Sequence, residues 1–454
     1  MLLAVVYNAV FLGHDTFVID MPAILRNLLA DHPRVVVPLL GTNFRLDTSG
    51  VVGVFGGEQA VSAMGTIPLY KNWKWLGWYN SPGSYEIAKR FGGLAKSRFF
   101  DGFFPGSRAD PATLFEMDGS RGPKFEAAHS GTVIEETSHL ATLFMKECEE
   151  LNGTVVMGRQ TQPVGVTIAD LKHEPPTEVV LKQVVSHSAI VSGIPILVSV
   201  GTCVTCAFIR DWFSGSMILL GMIVSGISCF VIGSGTFIFT HPLPAPGSPP
   251  GDGVICSEKE FVLLRGKEGA INAITRGKFG LRFKSQPNYH DIGWCSILLM
   301  TQFLAQLILI PQGKLFGQLM FVISIAVSWA HNMWLSSLNK ENIQRRILME
   351  EILRQPKLTR YIFPNRTSTV VFVLLASHSE KLEKLMNDLL PNETKVWEKL
   401  KATVIERLGE GKRLEFQPSE WKDLDFSPEE RSLLETLYKD ASSAWYAHDR
   451  LCRD

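Results

Sequence analysis

"AIVSGIPILVSVGTCVTCAFI", residues 189–209, is the stretch on which the fold turns. It runs 21 residues without a charge. As an α-helix rising 1.5 Å per residue it is about 32 Å long, enough to cross a hydrocarbon core of roughly 30 Å. Arg210 and Asp211 interrupt it, and a second uncharged stretch runs from Trp212 to Thr240. Two more follow, "IGWCSILLMTQFLAQLILI" at 292–310 and "LFGQLMFVISIAVSWAHNMWL" at 315–335. Trp212, Trp294 and Trp334 fall near the ends of these runs, where an aromatic belt at a membrane interface places them. The competing reading, four buried helices of a large soluble core, fits poorly with four charge-free runs of this length. The expected fold is an α-helical integral membrane protein with four transmembrane helices in two hairpins. The first hairpin covers 189–240, with spans about 189–209 and 214–238; the second covers 292–336, with spans about 292–310 and 315–335.

Basic residues set the expected orientation. The turn within the first hairpin carries only Arg210, and that within the second only Lys314. The loop 241–291 carries Lys259, Arg265, Lys267, Arg276, Lys278, Arg282 and Lys284. After the fourth run come Lys340, Arg345, Arg346, Arg354, Lys357 and Arg360. The positive-inside rule therefore places both termini and the central loop in the cytosol. Lys plus Arg and Asp plus Glu are equal at 45 each, so no global field draws nucleic acid. A mean hydropathy of +0.11 fits apolar spans mixed with soluble segments. Of seven cysteines, Cys203, Cys206, Cys229 and Cys295 lie inside apolar runs, and no disulfide framework is visible, which fits a reducing compartment. The start, "MLLAVVYNAVFLGHD", lacks a basic n-region, the first Arg being Arg26, and lacks a small-residue cleavage site, so it does not read as a signal peptide. It is too short to span alone, and is either a buried element or the stub of a span.

The flanks read as soluble. Residues 1–185 form an α+β N-terminal region, with "RVVVPLLG" and "GVVGVFGG" as short strands and "IEETSHLATLFMKECEELN" (134–152) as an amphipathic helix. "KNWKWLGWYNSPGS" (71–84) and "RFFDGFFPGS" (98–107) are dense in aromatics and turn formers; they suit a local core, an interfacial patch or a ligand groove. Residues 337–454 form a mostly helical C-terminal region, in which "TVVFVLLA" (369–376) is either a strand or a buried turn of helix. "HEPPTE" (173–178) and "HPLPAPGSPPGDG" (241–253) read as linkers.

The central loop holds "LLRGKEGAINAITRGKFGLRFK" (263–284). Its Gly277-Lys278 is followed by Phe279 and preceded at the required spacing by Asn272, so it is not a phosphate-binding P-loop. It reads as a small β-α-β unit. Phe279, Leu281 and Phe283 alternate with polar positions, giving one apolar and one basic face. The bases Arg265, Lys267, Arg276, Lys278, Arg282 and Lys284 either rest on anionic lipid headgroups or form a solvated face.

Within the spans, Gly221, Ser225, Cys229 and Gly233 recur every four residues, as do Ser199, Cys203 and Ala207. Such stripes let backbones approach closely, so the first hairpin is expected to pack along them. Gln302, Gln306, Gln318, His331 and Asn332 are expected to hydrogen-bond between helices, with a transport path as the alternative. The search for chemistry returns little. "HEPPT" is not the zinc motif His-Glu-x-x-His, and no Gly-x-Ser-x-Gly elbow occurs. "YHD" (289–291) supplies His290 and Asp291 as the best acid–base pair, set against a role as an interfacial anchor. No cofactor or metal is expected.

"RGKEGAINAITRGKF", "YHDIGW", "LIPQGKLFGQLMF" and "LSSLNKE" together resemble an uncharacterised family of multi-spanning membrane proteins in fungi, over roughly 254–345. The resemblance implies a membrane topology and carries over no catalytic or binding residue. The expected function is a non-enzymatic interaction or regulatory protein of a membrane, with lipids and either a cytosolic protein or a second copy as partners. A small-solute transporter or channel subunit is the first alternative, and a membrane-embedded enzyme the second.

Overall fold

The computed structural model describes residues 55–105, 111–119, 121–185, 187–377, 379, 381–422 and 426–451. The apolar start, "RVVVPLLG" and most of "GVVGVFGG" lie outside the described residues. Chain order opens with helices α1 (Gly57–Thr66), α2 (Ser84–Gly92) and α3 (Arg98–Phe103). Strands β1 (Lys124–Ala127) and β2 (Val133–Ile134) precede α4 (His139–Glu150), β3 (Thr154–Val155), β4 (Val164–Leu171) and β5 (Glu178–Val180). A long hairpin follows, α5 (Gly193–Phe208) and α6 (Trp212–Ile232). The central segment supplies β6 (Thr236–Thr240), β7 (Gly253–Cys256), β8 (Glu260–Gly266), α7 (Glu268–Thr275) and β9 (Lys278–Arg282). The second hairpin is α8 (His290–Leu309) and α9 (Leu315–Ser336). Beyond it come α10 (Lys340–Ile347), β10 (Lys357–Phe363), α11 (Arg366–Ser377), α12 (Leu382–Leu389), α13 (Lys395–Gly409) and α14 (Pro428–Leu451).

Seven strands form one sheet in the order β2-β1-β7-β8-β4-β10-β3. β4 runs parallel to β8, with Val166 opposite Phe261, and antiparallel to β10, with Val166 opposite Tyr361. These three neighbours come from the N-terminal region, the central loop and the C-terminal region. Ladder hydrogen bonds need adjacent backbones, so all three segments lie at the same end of the helical hairpins that separate them in sequence. One α/β body is thus assembled from three pieces of chain.

The central loop corrects one expectation. β8, α7 and β9 form where the β-α-β pattern lies, but the two strands belong to different sheets. Phe261 to Leu264 of β8 are fully buried, which calls for cover on both faces, and β8 sits mid-sheet between β7 and β4. β9 instead joins β5 and β6 in a three-stranded sheet, where Phe279 packs on Phe237 and Phe239. The apolar run 369–376 is helical and lies in α11; Val370 to Leu374 are buried all round, as a helix without a polar face must be.

A buried ion pair sits where the three pieces meet. Arg360 of β10 donates Nε to Glu260 Oε1 at 3.1 Å and Nη2 to Oε2 at 2.8 Å, and Thr167 of β4 donates to Oε1 at 3.0 Å. Arg360 Nη1 also bonds the carbonyls of Glu149 and Leu151 at 2.8 Å. Every strong donor and acceptor is satisfied, the condition under which a buried charge pair is tolerated.

Among the described residues, four helices are long and apolar enough to cross a membrane, covering Ala189–Phe208, Trp212–Ile232, His290–Gln312 and a continuous run from Leu315 to Ile352. Their packing is inside-out relative to the body. On α5, Leu197 is 73% exposed while Ser199 is fully buried. Val200, Val204, Leu219, Leu304, Ile308 and Ile323 likewise face outward, while Ser225, Gln302, Gln306, Ser324 and Asn332 face inward. At the ends away from the body, Asp211 binds both turns. Its carboxylate accepts from Ser214 N at 3.2 Å and Lys314 N at 2.8 Å, and Lys314 Nζ reaches the Ile209 carbonyl at 2.7 Å.

Candidate functional site

The four long helices converge on a stretch of chain that is not one of them. Residues 76–83, "LGWYNSPG", run irregularly between the long helices, and Tyr79, Asn80 and Ser81 are buried. α1 and α2 hold this stretch from either side. α1 lies along α9, with Gly56 against Trp329 and Thr66 near the Leu335 carbonyl. α2 lies along α8, with Tyr85 against Phe303 at 5.4 Å. The start of α2 touches the start of α1 through Gly83, whose φ of +74° and contact with the Gly57 backbone both demand glycine.

Polar contacts pin the stretch on every side. Asn80 N donates to Ser199 Oγ of α5 at 3.0 Å, and Ser199 Oγ lies 3.1 Å from Ser324 Oγ of α9. Gln306 of α8 reaches Asn80 Oδ1 at 3.5 Å and the Met217 carbonyl of α6 at 3.3 Å. Tyr79 donates its hydroxyl to Asn332 Oδ1 at 2.8 Å, and Asn332 Nδ2 donates to Ser81 Oγ at 3.2 Å. His331 packs edge-on against Tyr79, and its Nε2 lies 3.0 Å from Ser192 Oγ. Ser199, Gly221 and Ser324 each lie about nine residues, or roughly 14 Å, from the far ends of their helices. The meeting point is therefore near mid-height. The irregular backbone there is enclosed by protein, with Tyr79, Asn80 and Ser81 buried.

The small-residue stripe of α6 serves this segment. Gly221 faces the Asn80 side chain, Ser225 and Cys229 face Gly77, and Gly233 faces Ile67 and Lys74; a Cβ on Gly221, Gly77 or Gly233 would overlap its neighbour. The first hairpin does pack closely, with Cys203 and Cys206 of α5 against Gly215 of α6; the α6 stripe from Gly221 to Gly233, however, faces the chain from 67 to 80 and not α5.

The other expected residues separate. Gln302 donates to Gln306 at 3.4 Å within α8. Gln318 closes the α8–α9 turn on the carbonyls of Ile310 and Gly313, each at 3.2 Å. The basic residues do not share one face. Arg265 bonds the Ala376 carbonyl inside the body, Lys267 pairs with Glu174 at 3.7 Å and Arg282 pairs with Glu178 at 2.5 Å. Arg276, Lys278 and Lys284 are exposed. His290 and Asp291 are exposed at the start of α8. Among the described residues no group of three or more His, Cys, Asp and Glu side chains is arranged to hold a metal ion. Tyr79, Asn80 and Ser81 were not singled out in the sequence. Their signal is three polar residues between Gly77 and Pro82-Gly83, close to aromatics that suggested an ordinary core.

The chemistry of this core is that of neutral dipoles. Amides, hydroxyls, one phenol and one imidazole meet there, with no carboxylate or ammonium among the contacts named. Among the described residues some atoms find no partner: Asn80 Nδ2, Ser225 Oγ, Gln302 Oε1, Ser328 Oγ and His331 Nδ1. The body has a different polar cluster. Glu126 of β1 is buried against Asp388 of α12. Burial first, then hydrogen bonding and repulsion from Asp388, push its carboxyl up to about 7, against the lowering pull of Lys124 and Lys384.

No protein-family model matches the chain, and neither curated proteins nor solved structures yielded a match to it.

Proposed function

We propose that the chain is a multi-pass integral membrane protein that acts by binding and regulation rather than catalysis, with its body and both termini in the cytosol. The observation that carries this reading is the 76–83 stretch. It belongs to the body-side part of the chain, yet its hydrogen bonds end on α5, α8 and α9 and its side chains lie against α6. A partner or a second copy that shifts the body pulls directly on the centre of the bundle. The apolar outward faces of the four helices support membrane insertion, and the basic loops support the orientation.

Glycosylation mapping tests the orientation. Asn152-Gly-Thr and Asn392-Glu-Thr are exposed acceptor sequons on the body, whereas Asn365-Arg-Thr is buried, its amide bonded to Asp440. Expressed in a eukaryotic host, the protein should show no mobility shift on deglycosidase treatment. A shift abolished by Asn152→Gln or Asn392→Gln would invert the orientation and point to a lumenal or extracellular receptor role. A small-solute transporter or channel subunit is the second reading, favoured by the unpartnered polar atoms of the core. Flux through reconstituted protein that depends on Gln306 or His331 would establish it. The embedded-enzyme reading rests on His290 and Asp291 alone, and an unchanged cellular lipid profile in His290→Ala would remove its support.

A further inference from the structure

The chain leaves α6 at Ile232 and turns through Gly233-Ser234-Gly235 into β6. Two other segments close around this turn. Leu181 N bonds the Phe237 carbonyl at 3.0 Å, Val184 N bonds the Leu69 carbonyl at 2.9 Å, and Lys71 N bonds the Val184 carbonyl at 3.0 Å. Gly233 lets the stem of Lys74 lie against the turn. The result is a concavity of about 570 Å³ rimmed by Lys71, Lys74 and Lys182. Each lysine comes from a local pattern of little note, and only the fold brings them together.

Three observations bear on what this rim holds. First, among the described residues none of the three ammonium groups has a carboxylate within ion-pair distance. The Glu351 carboxylate stands beside Lys182, accepting from its backbone N–H at 3.4 Å. Second, two carbonyls in the last turn of α6 are occupied: Val231 accepts from Ser234 N and Oγ at 3.2 and 2.7 Å, and Cys229 accepts from Gly233 N at 2.8 Å. Third, the rim stands at a defined height. Lys74 Nζ lies 5.3 Å over the Phe230 ring, and Trp75 packs on that ring at 4.6 Å while remaining 54% exposed. At the other end of α6, Trp212 is 57% exposed. Phe230 and Trp212 are about 27 Å apart along the helix, close to the thickness of a hydrocarbon core. Exposed aromatics at both ends mark two interfaces, and the lysines lie at the body-side one.

We propose that this concavity binds the phosphate of an anionic lipid from the body-side leaflet, held by Lys71, Lys74 and Lys182 with the exposed Thr236 hydroxyl beside them. The proposal rests on the membrane reading and adds a site to it. Three flexible ammonium groups around an open depression suit a phosphate, and their stems lie along apolar wall while the charges reach the headgroup layer.

The test uses the full chain reconstituted in phosphatidylcholine with a trace of spin-labelled phosphatidic acid, reading the protein-immobilised fraction by electron paramagnetic resonance. Wild type should prefer the labelled phosphatidic acid over labelled phosphatidylcholine. The Lys71→Gln/Lys74→Gln/Lys182→Gln variant should lose that preference, by about fivefold per lysine. Arg265→Gln/Lys267→Gln/Arg276→Gln, an equal charge change elsewhere, should keep it. No preference in wild type, or equal loss in both triples, would overturn the proposal. Displacement by glycerol 3-phosphate as effectively as by unlabelled phosphatidic acid would make the ligand a free phosphate and overturn the lipid assignment. If the triple loses its native unfolding transition, the exposed single changes Lys71→Gln and Lys182→Gln carry the test. Extraction of the wild type by alkaline carbonate would instead sink the membrane reading, and this site with it.

Discussion

Helix α4 in the body and helix α5 in the bundle share one periodicity and use it in opposite senses. On α4, Leu140, Leu143 and Phe144 are buried while Lys146, Glu149 and Glu150 are exposed. On α5, Ser199, Thr202 and Cys206 are buried while Leu197, Val200 and Val204 are exposed. The period near 3.6 says that a helix has two faces; it does not say which one turns inward. The medium around the helix decides that. In water, apolar side chains leave the solvent; in hydrocarbon, polar groups find partners only inside the protein. The two regions also treat charge differently. The body buries a bidentate carboxylate–guanidinium pair, whereas the core around Asn80 joins neutral groups.

The comparison can be broken most severely in the body. Arg360→Ala leaves Glu260 buried and charged with only the Thr167 hydroxyl as partner, at a cost of about 3–5 kcal/mol. Hydrogen exchange should show protection falling across β4, β8 and β10. If protection in α5 and α6 falls equally, the two regions unfold as one unit; if it persists, they are separable. A smaller effect is expected in the bundle. Gly221→Val drives a branched side chain into Asn80 and should cost about 1–3 kcal/mol. Leu197→Ala, on the outward face, should stay within about 0.5 kcal/mol. Thermal unfolding in detergent compares the two, and equal losses would mean that the outward face is packed after all.

A different kind of effect depends on pH. The Glu126 carboxyl is raised from 4.5 to about 7 in the folded body, so the folded state binds the proton more tightly than the unfolded one. Its contribution is fully present below about 4.5, is lost as pH rises through about 7, and then stays flat. Glu126→Gln removes this slope and should make the body relatively more stable at pH 8 than at pH 5. Denaturant midpoints at the two values read the difference, and parallel midpoints in variant and wild type would exclude a raised Glu126 carboxyl.

The sequence revealed the two regions unequally. The four long helices were plain, because a run of uncharged residues is a local property. The apolar run of α11 stayed ambiguous between strand and helix, since eight residues buried on all sides have no period to read. The seven-stranded sheet was not legible. β4 meets β8 and β10, partners that lie beyond one and two helical hairpins, and no local pattern encodes such a pairing. The core was half legible. Gln302, Gln306, His331 and Asn332 stood out because polar side chains in apolar runs are conspicuous. Tyr79, Asn80 and Ser81 did not, because polar residues in a turn-rich stretch are ordinary until the fold carries that stretch to mid-height. Likewise, Gly221 and its stripe marked a close approach without saying what approaches.

The strand order has a consequence for how the protein is made. A ribosome releases β4 early, β8 only after the first helical hairpin, and β10 only after the second. Until β10 emerges, β4 presents an unpaired edge to whatever else is in solution, and Glu260 waits for Arg360. A nascent chain stalled between Ser336 and Lys357 would hold all four long helices and a sheet with an open flank. Quality control that recognises exposed strand edges would therefore distinguish a finished copy from an unfinished one by the arrival of a single seven-residue strand.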